Sequence, residues 1–316
     1  MSSEFSRMRL FTGNAHPQLG QDIAKWLGIE LGKINVSRFS CGETYARIEE
    51  TIRGYDTFVL QSISDHPNDD YMELFIIMDA LKRSSAASVN VIIPYFGYSR
   101  QDKKSAPREP ISARLIADLL SAIGFDRLIT MDLHADQIQG FFAQPVDHLT
   151  ALPLFVDYFR NKKLTDVVVV APDTGRAKFA KRLSDRIDGD LAIMHKTRPS
   201  HNVAEVMNLV GDVKGKTVIL VDDMIDTGGS VTSGLAMLRK LGCNDDIYLA
   251  ATHAVFSGPA RERLAGGEFK EVVVTDSVPI PDGKRFPQLR VISTAPLLGE
   301  VIRRNYEKQS ISPLFD

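Results

Sequence analysis

VILVDDMIDTGGS, residues 218–230, decides how the rest of the chain is read. Val218 to Val221 form an aliphatic run without polar alternation, the pattern of a strand covered on both faces. Two carboxylates, Asp222 and Asp223, close the run. Asp226-Thr227-Gly228-Gly229-Ser230 then lead into SVTSGLAMLRKLG, where Val231, Leu235, Leu238 and Leu241 recur near helical spacing and Gly242 marks a stop. Ligands of an open parallel sheet bind beyond the carboxyl ends of its strands. There, glycines turn N–H groups inward, a helix N-terminus adds partial positive charge, and Thr227 and Ser230 add hydroxyls, which together suit a phosphate. The neighbouring acids suit sugar hydroxyls, so the stretch reads as a sugar-phosphate loop. The plainer alternative is that Gly and Ser only turn and cap a strand–helix junction. Neither a P-loop nor a GxGxxG fingerprint is present, which disfavours a P-loop kinase or a Rossmann dehydrogenase.

Working outward, similar apolar runs recur: FVLQSI (58–63), VNVIIPYF (89–96), RLITMD (127–132), VVVVAP (167–172), IYLAATH (247–253) and EVVVTD (271–276). Helical patterns lie between them. In EPISARLIADLLSAIG the expected apolar face is Ile111, Leu115, Leu119 and Ile123, with Gly124 as the stop. Strands alternating with helices predict an α/β fold with mostly parallel sheets and right-handed crossovers. MRLFTG and INVSRF (34–39) would enlarge the first group of strands. A chain of 316 residues suggests two domains. A division near HLTALPLF (148–155) gives expected domains of 1–150 and 151–316.

A net charge of −2 gives no bulk attraction to nucleic acid or an anionic membrane, so any anion site is built locally. Cys41 and Cys243 are far apart and in no CxxC pattern, which argues against a disulfide framework or a zinc cluster and for a reducing compartment. The start shows no long apolar core of a signal peptide, and no apolar stretch is long enough to span a bilayer. The cytoplasm is the expected location.

VILVDDMIDTGGS resembles the ribose 5-phosphate loop shared by type I phosphoribosyltransferases and ribose-phosphate pyrophosphokinases. FSCGE (39–43), PYFGYSRQDKK (94–104), REPISARLIADLL (108–120), DLHADQIQGFF (132–142), VVAPDTGRAK (169–178) and HKTRP (195–199) select the second family. The resemblance covers nearly the whole chain. It implies two type I phosphoribosyltransferase-like domains, the first with ATP-site elements and the second with the ribose 5-phosphate loop; the extreme C-terminus would pack on the first. The implied reaction moves the diphosphoryl group of ATP to the anomeric hydroxyl of ribose 5-phosphate, giving phosphoribosyl diphosphate and AMP for nucleotide biosynthesis. Such transfer needs positioning, magnesium and well-placed cations more than covalent help.

The resemblance also implies roles. Lys196 and Arg198 would lie on a mobile loop closing over the phosphates; alternate residues of an extended segment point the same way, so both can face one transition state. Without the family, HKTRP reads as a solvated basic turn. Asp222, Asp223, Asp226, Thr227, Gly228, Gly229 and Ser230 would hold ribose 5-phosphate. Phe39, Cys41, Gly42, Glu43, Arg100, Gln101 and Asp102 would hold ATP, with Phe39 stacking on adenine. Cys41 stands where the family usually has an acid or amide, and a thiol is a weak hydrogen-bond partner. His134 and Asp173, assisted by Asp132, would serve a magnesium site. On residue chemistry alone Asp173 is equally a helix N-cap and His134 an ordinary hydrogen-bonded histidine. A homo-oligomer, expected as a hexamer, and regulation by phosphate and ADP are further implications, with SISPLF and the segment around Arg53 as places to look. Two other readings stand beside this one: a phosphoribosyltransferase, against which the first-half ATP motifs count, and a catalytically silent regulatory relative, against which the retained Lys196, Arg198, His134 and sugar-phosphate loop count.

Overall fold

The computed structural model describes residues 5–197 and 206–315. Its elements begin with β1 (Met8–Thr12), α1 (Pro17–Leu27), β2 (Ile34–Arg38), β3 (Thr44–Ile48), β4 (Asp56–Leu60), α2 (Pro67–Arg83), β5 (Ser88–Ile93), α3 (Ser112–Ile123), β6 (Arg127–Met131) and β7 (Val146–Leu149). They continue with α4 (Leu152–Lys162), β8 (Val167–Ala171), α5 (Ala177–Arg186), β9 (Asp190–Thr197), β10 (Val206–Val210), β11 (Thr217–Ile225), α6 (Gly229–Lys240), β12 (Ile247–Ala254), α7 (Ala260–Gly266), β13 (Glu271–Thr275), β14 (Leu289–Ile292) and α8 (Ala295–Tyr306). All seven apolar runs of the sequence are strands. The chain divides into two units, with the first break after Thr150.

The first unit holds a parallel sheet in the order β1-β4-β5-β6-β7. INVSRF does not join it. β2 pairs antiparallel with β3 as a separate two-stranded ribbon. Its alternation of half-buried and exposed positions fits a ribbon with one wet face, not a central strand. Asn14 ties the ribbon to the body: its Nδ2 donates to the Val36 carbonyl (3.4 Å) and to Glu73 Oε2 (3.0 Å).

α3 buries Ala113, Ile116, Ala117 and Leu120, whereas Leu115 and Leu119 are 57% and 41% exposed. The expected face of Leu115 and Leu119 is therefore rotated. Two alanines let the helix lie close to its neighbours and leave the larger leucines outside.

The second unit is shorter than the expected 151–316, and the C-terminus, expected to pack on the first domain, groups with it. Ser277–Pro279 and the chain from Ser293 onward belong to the first unit. α8 packs on α1, burying Leu298, Val301 and Ile302. Gly299 permits the approach, since a Cβ there would fall 2.4 Å from Trp26 Cε3. Asn305 Nδ2 donates to Asp147 Oδ2 (2.9 Å), which makes the C-terminal helix a structural part of this unit.

The second unit holds a seven-stranded sheet in the order β10-β9-β8-β11-β12-β13-β14, parallel except for β10. From β8 the chain winds outward to β9 and β10. It then returns to the other side of β8 as β11 and winds the opposite way. The gap between β8 and β11 is thus the topological switch point, where a doubly wound sheet opens a ligand crevice at its carboxyl edge. The core beneath is aliphatic: Val168, Val170, Val218, Leu220, Leu249 and Val272 pack with Val231, Leu235 and Leu238 of α6. Leu241, expected on the same face, is 41% exposed, because α6 ends at Lys240 before the turn carries it inward.

Candidate active site

β11 runs to Ile225, two residues beyond the run read from sequence, and keeps its ladder to β12 through Met224 and Ile225. Asp222 and Asp223 therefore sit in the last part of a paired strand, not in the loop. The chain leaves through Asp226 and Thr227 and enters α6 at Gly228, whose φ of 74° and ψ of 0° lie in the left-handed region. No side chain caps α6, and the first N–H groups of a helix have no intrahelical acceptor. Thr232 Oγ1 donates to the carbonyls of Gly228 and Gly229, both at 3.0 Å, which braces the first turn from inside. Thr227 and Ser230 are exposed and Gly229 half-buried.

The other side of the switch point is the loop after β8. Asp173 is exposed, and its Oδ1 accepts from the Arg176 N–H (3.1 Å), capping the short 3-10 turn Thr174–Arg176. The Arg176 side chain reaches Asp223 Oδ2 at 2.9 Å. Arg176 was absent from the sequence-derived site, although a basic residue shortly after the strand end at VVAPDTGRAK was a usable signal. Asp223 is 4% exposed, so Arg176 compensates a buried charge. Asp222 Oδ1 accepts from the Asp223 N–H at 2.9 Å. Burial, then the adjacent Asp223 charge, push the Asp222 carboxyl well above the usual carboxylate range. Of the cationic pair expected to close over phosphates, Lys196 lies in β9 with its backbone paired to Met207, and Arg198 lies outside the described residues.

In the first unit, FSCGE forms the tip of the β2–β3 ribbon. Phe39 N donates to the Glu43 carbonyl (2.9 Å) and Gly42 N to the Phe39 carbonyl (2.8 Å). This closes a tight turn that leaves Phe39 54% exposed, with its ring edge-on to Tyr45 at 5.6 Å. Cys41 is free and exposed at the same tip.

Arg100 and Gln101, both exposed, follow Tyr98, a non-glycine residue at φ 65°. Ala113 N at the start of α3 donates to the Gln101 carbonyl (3.2 Å). Asp102 Oδ2 accepts from Gln137 Nε2 (2.8 Å), which brings the RQD turn to the loop carrying His134. That loop leaves β6 through Asp132, which is buried with φ 33° and donates its N–H to the Leu149 carbonyl (2.9 Å). His148, which sequence reasoning did not weigh, accepts from the Leu133 N–H at Nε2 (2.8 Å) and so fixes the loop beside the exposed His134. Left-handed Tyr98, in the loop after β5, and Asp132, directly after β6, mark the kind of backbone strain that gathers at functional sites. Among the described residues, no group of three or more His, Cys, Asp and Glu is arranged to hold a metal ion.

An acid-tipped strand, an uncapped glycine-led helix and a switch point set the class of the molecule: an α/β protein whose doubly wound, mostly parallel sheet opens an anion-suited crevice at its carboxyl edge. Comparison with known proteins narrows the class. Residues 8–124 match the model for the N-terminal domain of ribose phosphate pyrophosphokinase, and residues 198–316 match that for the phosphoribosyl synthetase-associated domain. A ribose-phosphate pyrophosphokinase of a Nostoc species is 51% identical, over 99% of this chain and 95% of its own length. One from Bacillus caldolyticus is 50% identical over all of both chains. The crystal structure of phosphoribosylpyrophosphate synthetase from Mycobacterium smegmatis superposes with a TM-score of 0.90 at 47% identity, covering 96% of this chain and 100% of that one. The chain belongs to the ribose-phosphate pyrophosphokinase family.

Proposed function

We propose that the protein is a ribose-phosphate diphosphokinase, transferring the diphosphoryl group of ATP to the anomeric hydroxyl of ribose 5-phosphate with release of AMP. The observation that carries this reading is the uncapped start of α6 behind Gly228, directly after the Asp222–Asp223 strand end at the switch point. Phosphate suits the N–H groups of residues 228–230, and the acids suit the ribose hydroxyls. Asp226, Thr227 and Ser230 complete the loop.

Lys196 and Arg198 are the cations for charge that shifts during transfer; such groups contribute about 10³ to 10⁵ in rate in related phosphoryl transfers. In the first unit, the exposed Phe39 ring offers a face for adenine. Glu43, Arg100, Gln101 and Asp102 offer polar contacts, and Gly42 shapes the turn. Cys41 offers only a weak polar contact there.

Magnesium, when bound, neutralises polyphosphate charge and orients the transferred group. The residues fit an ion held mainly by substrate oxygens and water, with single contacts from Asp173 or from His134 and Asp132. They do not fit an all-protein cage, because no three-donor cluster exists among the described residues.

The exposed Leu115 and Leu119 support assembly of several copies, for which a hexamer is the proposed state. Phosphate and ADP are proposed effectors, with the exposed Arg53 and the turn Ser312–Leu314 as the segments to probe. Leu314 and Phe315 are half-buried, so that tail also packs on its own unit. No helix among the described residues is long and apolar enough to cross a membrane, and the cytoplasm is the proposed location. Incubation with magnesium, ATP and ribose 5-phosphate tests the reading: AMP should form together with phosphoribosyl diphosphate, without any nucleobase and without a second protein.

A further inference from the structure

We infer that Arg263, on α7, is a positioning residue for the sugar-phosphate loop; the inference rests on the reading of residues 222–230 given above. Arg263 Nη1 donates to the Thr227 carbonyl at 2.9 Å. The same nitrogen would lie 3.4 Å from a Cβ built on Gly229, so the guanidinium runs along the outside of the loop.

A trans peptide is planar, and its C=O and N–H point in opposite directions. Holding the Thr227 carbonyl toward α7 therefore turns the Gly228 N–H away from α7. Gly228, at φ 74°, has no Cβ to oppose rotation of that peptide. No side chain caps the helix start. Arg263 is thus the side chain that decides which way the first donor of the loop faces. The neighbouring acid, Glu262, pairs with Arg261 at 3.9 Å.

Arg263 is exposed and lines an open groove of about 490 Å³ with Thr232, Leu235 and Arg239. Its truncation leaves no void in the core, and the fold should survive it.

The test compares wild type, Arg263→Lys and Arg263→Ala, with ribose 5-phosphate and ATP varied separately and ribose 5-phosphate binding measured by calorimetry. Loss of one such hydrogen bond corresponds to a factor of about 3 to 10. Arg263→Ala should raise KM and Kd for ribose 5-phosphate by that factor, with kcat, KM for ATP and the thermal midpoint unchanged. Arg263→Lys, which keeps a charged donor at the end of a flexible stem, should recover part of the loss. Unchanged sugar-phosphate affinity in Arg263→Ala overturns this inference alone. A lower melting point with both substrates weakened equally does so too, since it shows a merely structural arginine. Wild-type protein that binds no ribose 5-phosphate overturns both this inference and the function on which it rests.

Discussion

The guanidinium of Arg176 lies 2.9 Å from Oδ2 of Asp223, joining the loop after β8 to the end of β11 across the switch point. Asp223 is 4% exposed, and Arg176 pairs with its buried charge. Removing one member of a buried pair leaves the other uncompensated, at a cost of about 3–5 kcal/mol. Arg176→Ala should lower the unfolding free energy by roughly the smaller of these values, since Arg176 itself is only partly buried. Urea titration measures it, and an unchanged midpoint would show that the Arg176 pair adds nothing to stability. Asp223→Ala should weaken ribose 5-phosphate binding most; if calorimetry finds that binding intact, the carboxylate serves the fold.

Asp222 gives a pH signature. Its carboxyl titrates well above the usual range because of burial first and the Asp223 charge second. At acid pH the group is neutral in both folded and unfolded chains, so its ionisation costs nothing. As pH rises through the ordinary carboxylate range, only the unfolded chain releases this proton, and the native state loses stability until its own higher pKa is reached. Asp222→Asn keeps the oxygen that accepts from the Asp223 N–H and removes the titration. Its stability relative to wild type should therefore climb from acid toward neutral pH in a series of denaturant melts. A constant difference across that series would refute the assignment.

Gly228 occupies left-handed backbone at φ 74°. An added Cβ would meet Ala260 Cα only at an ordinary 3.7 Å, so Gly228→Ala tests conformation and not crowding. Backbone strain of about 1–2 kcal/mol should either appear as lost stability or be relieved by turning the peptide. Relief by turning should show as a higher KM for ribose 5-phosphate. A variant with wild-type stability and wild-type KM would remove Gly228 from the loop's function.

Lys196→Ala should lower kcat by about 10³ while leaving sugar-phosphate affinity nearly intact, because a cation that meets shifting charge acts mainly in the transition state. A near-normal kcat in steady-state assays would exclude Lys196 from that role.

Much of this arrangement is legible in the chain. Aliphatic runs such as Val167–Val170 and Val218–Val221 announce strands covered on both faces, and glycines after helices announce their stops. Other features depend on packing that no single segment contains. In α3 the buried positions include Ala113 and Ala117, which carry little weight in a hydrophobic pattern, while the conspicuous Leu115 and Leu119 face outward. INVSR and TYARI alternate half-buried and exposed positions, the pattern of a two-stranded ribbon with one wet face and not of a strand covered on both faces. The acid pair was legible, whereas Arg176, 47 positions before Asp223, becomes its partner only through the order of strands. The return of α8 to the first unit rests on Gly299 meeting Trp26, a contact between distant segments.

Phosphorus NMR of the wild-type protein with magnesium, ATP and ribose 5-phosphate tests diphosphoryl transfer most directly. AMP and phosphoribosyl diphosphate should rise together in equal amounts, with no nucleobase or second protein added. Formation of ADP with a singly phosphorylated anomeric position, or no consumption of ATP at all, would contradict the account.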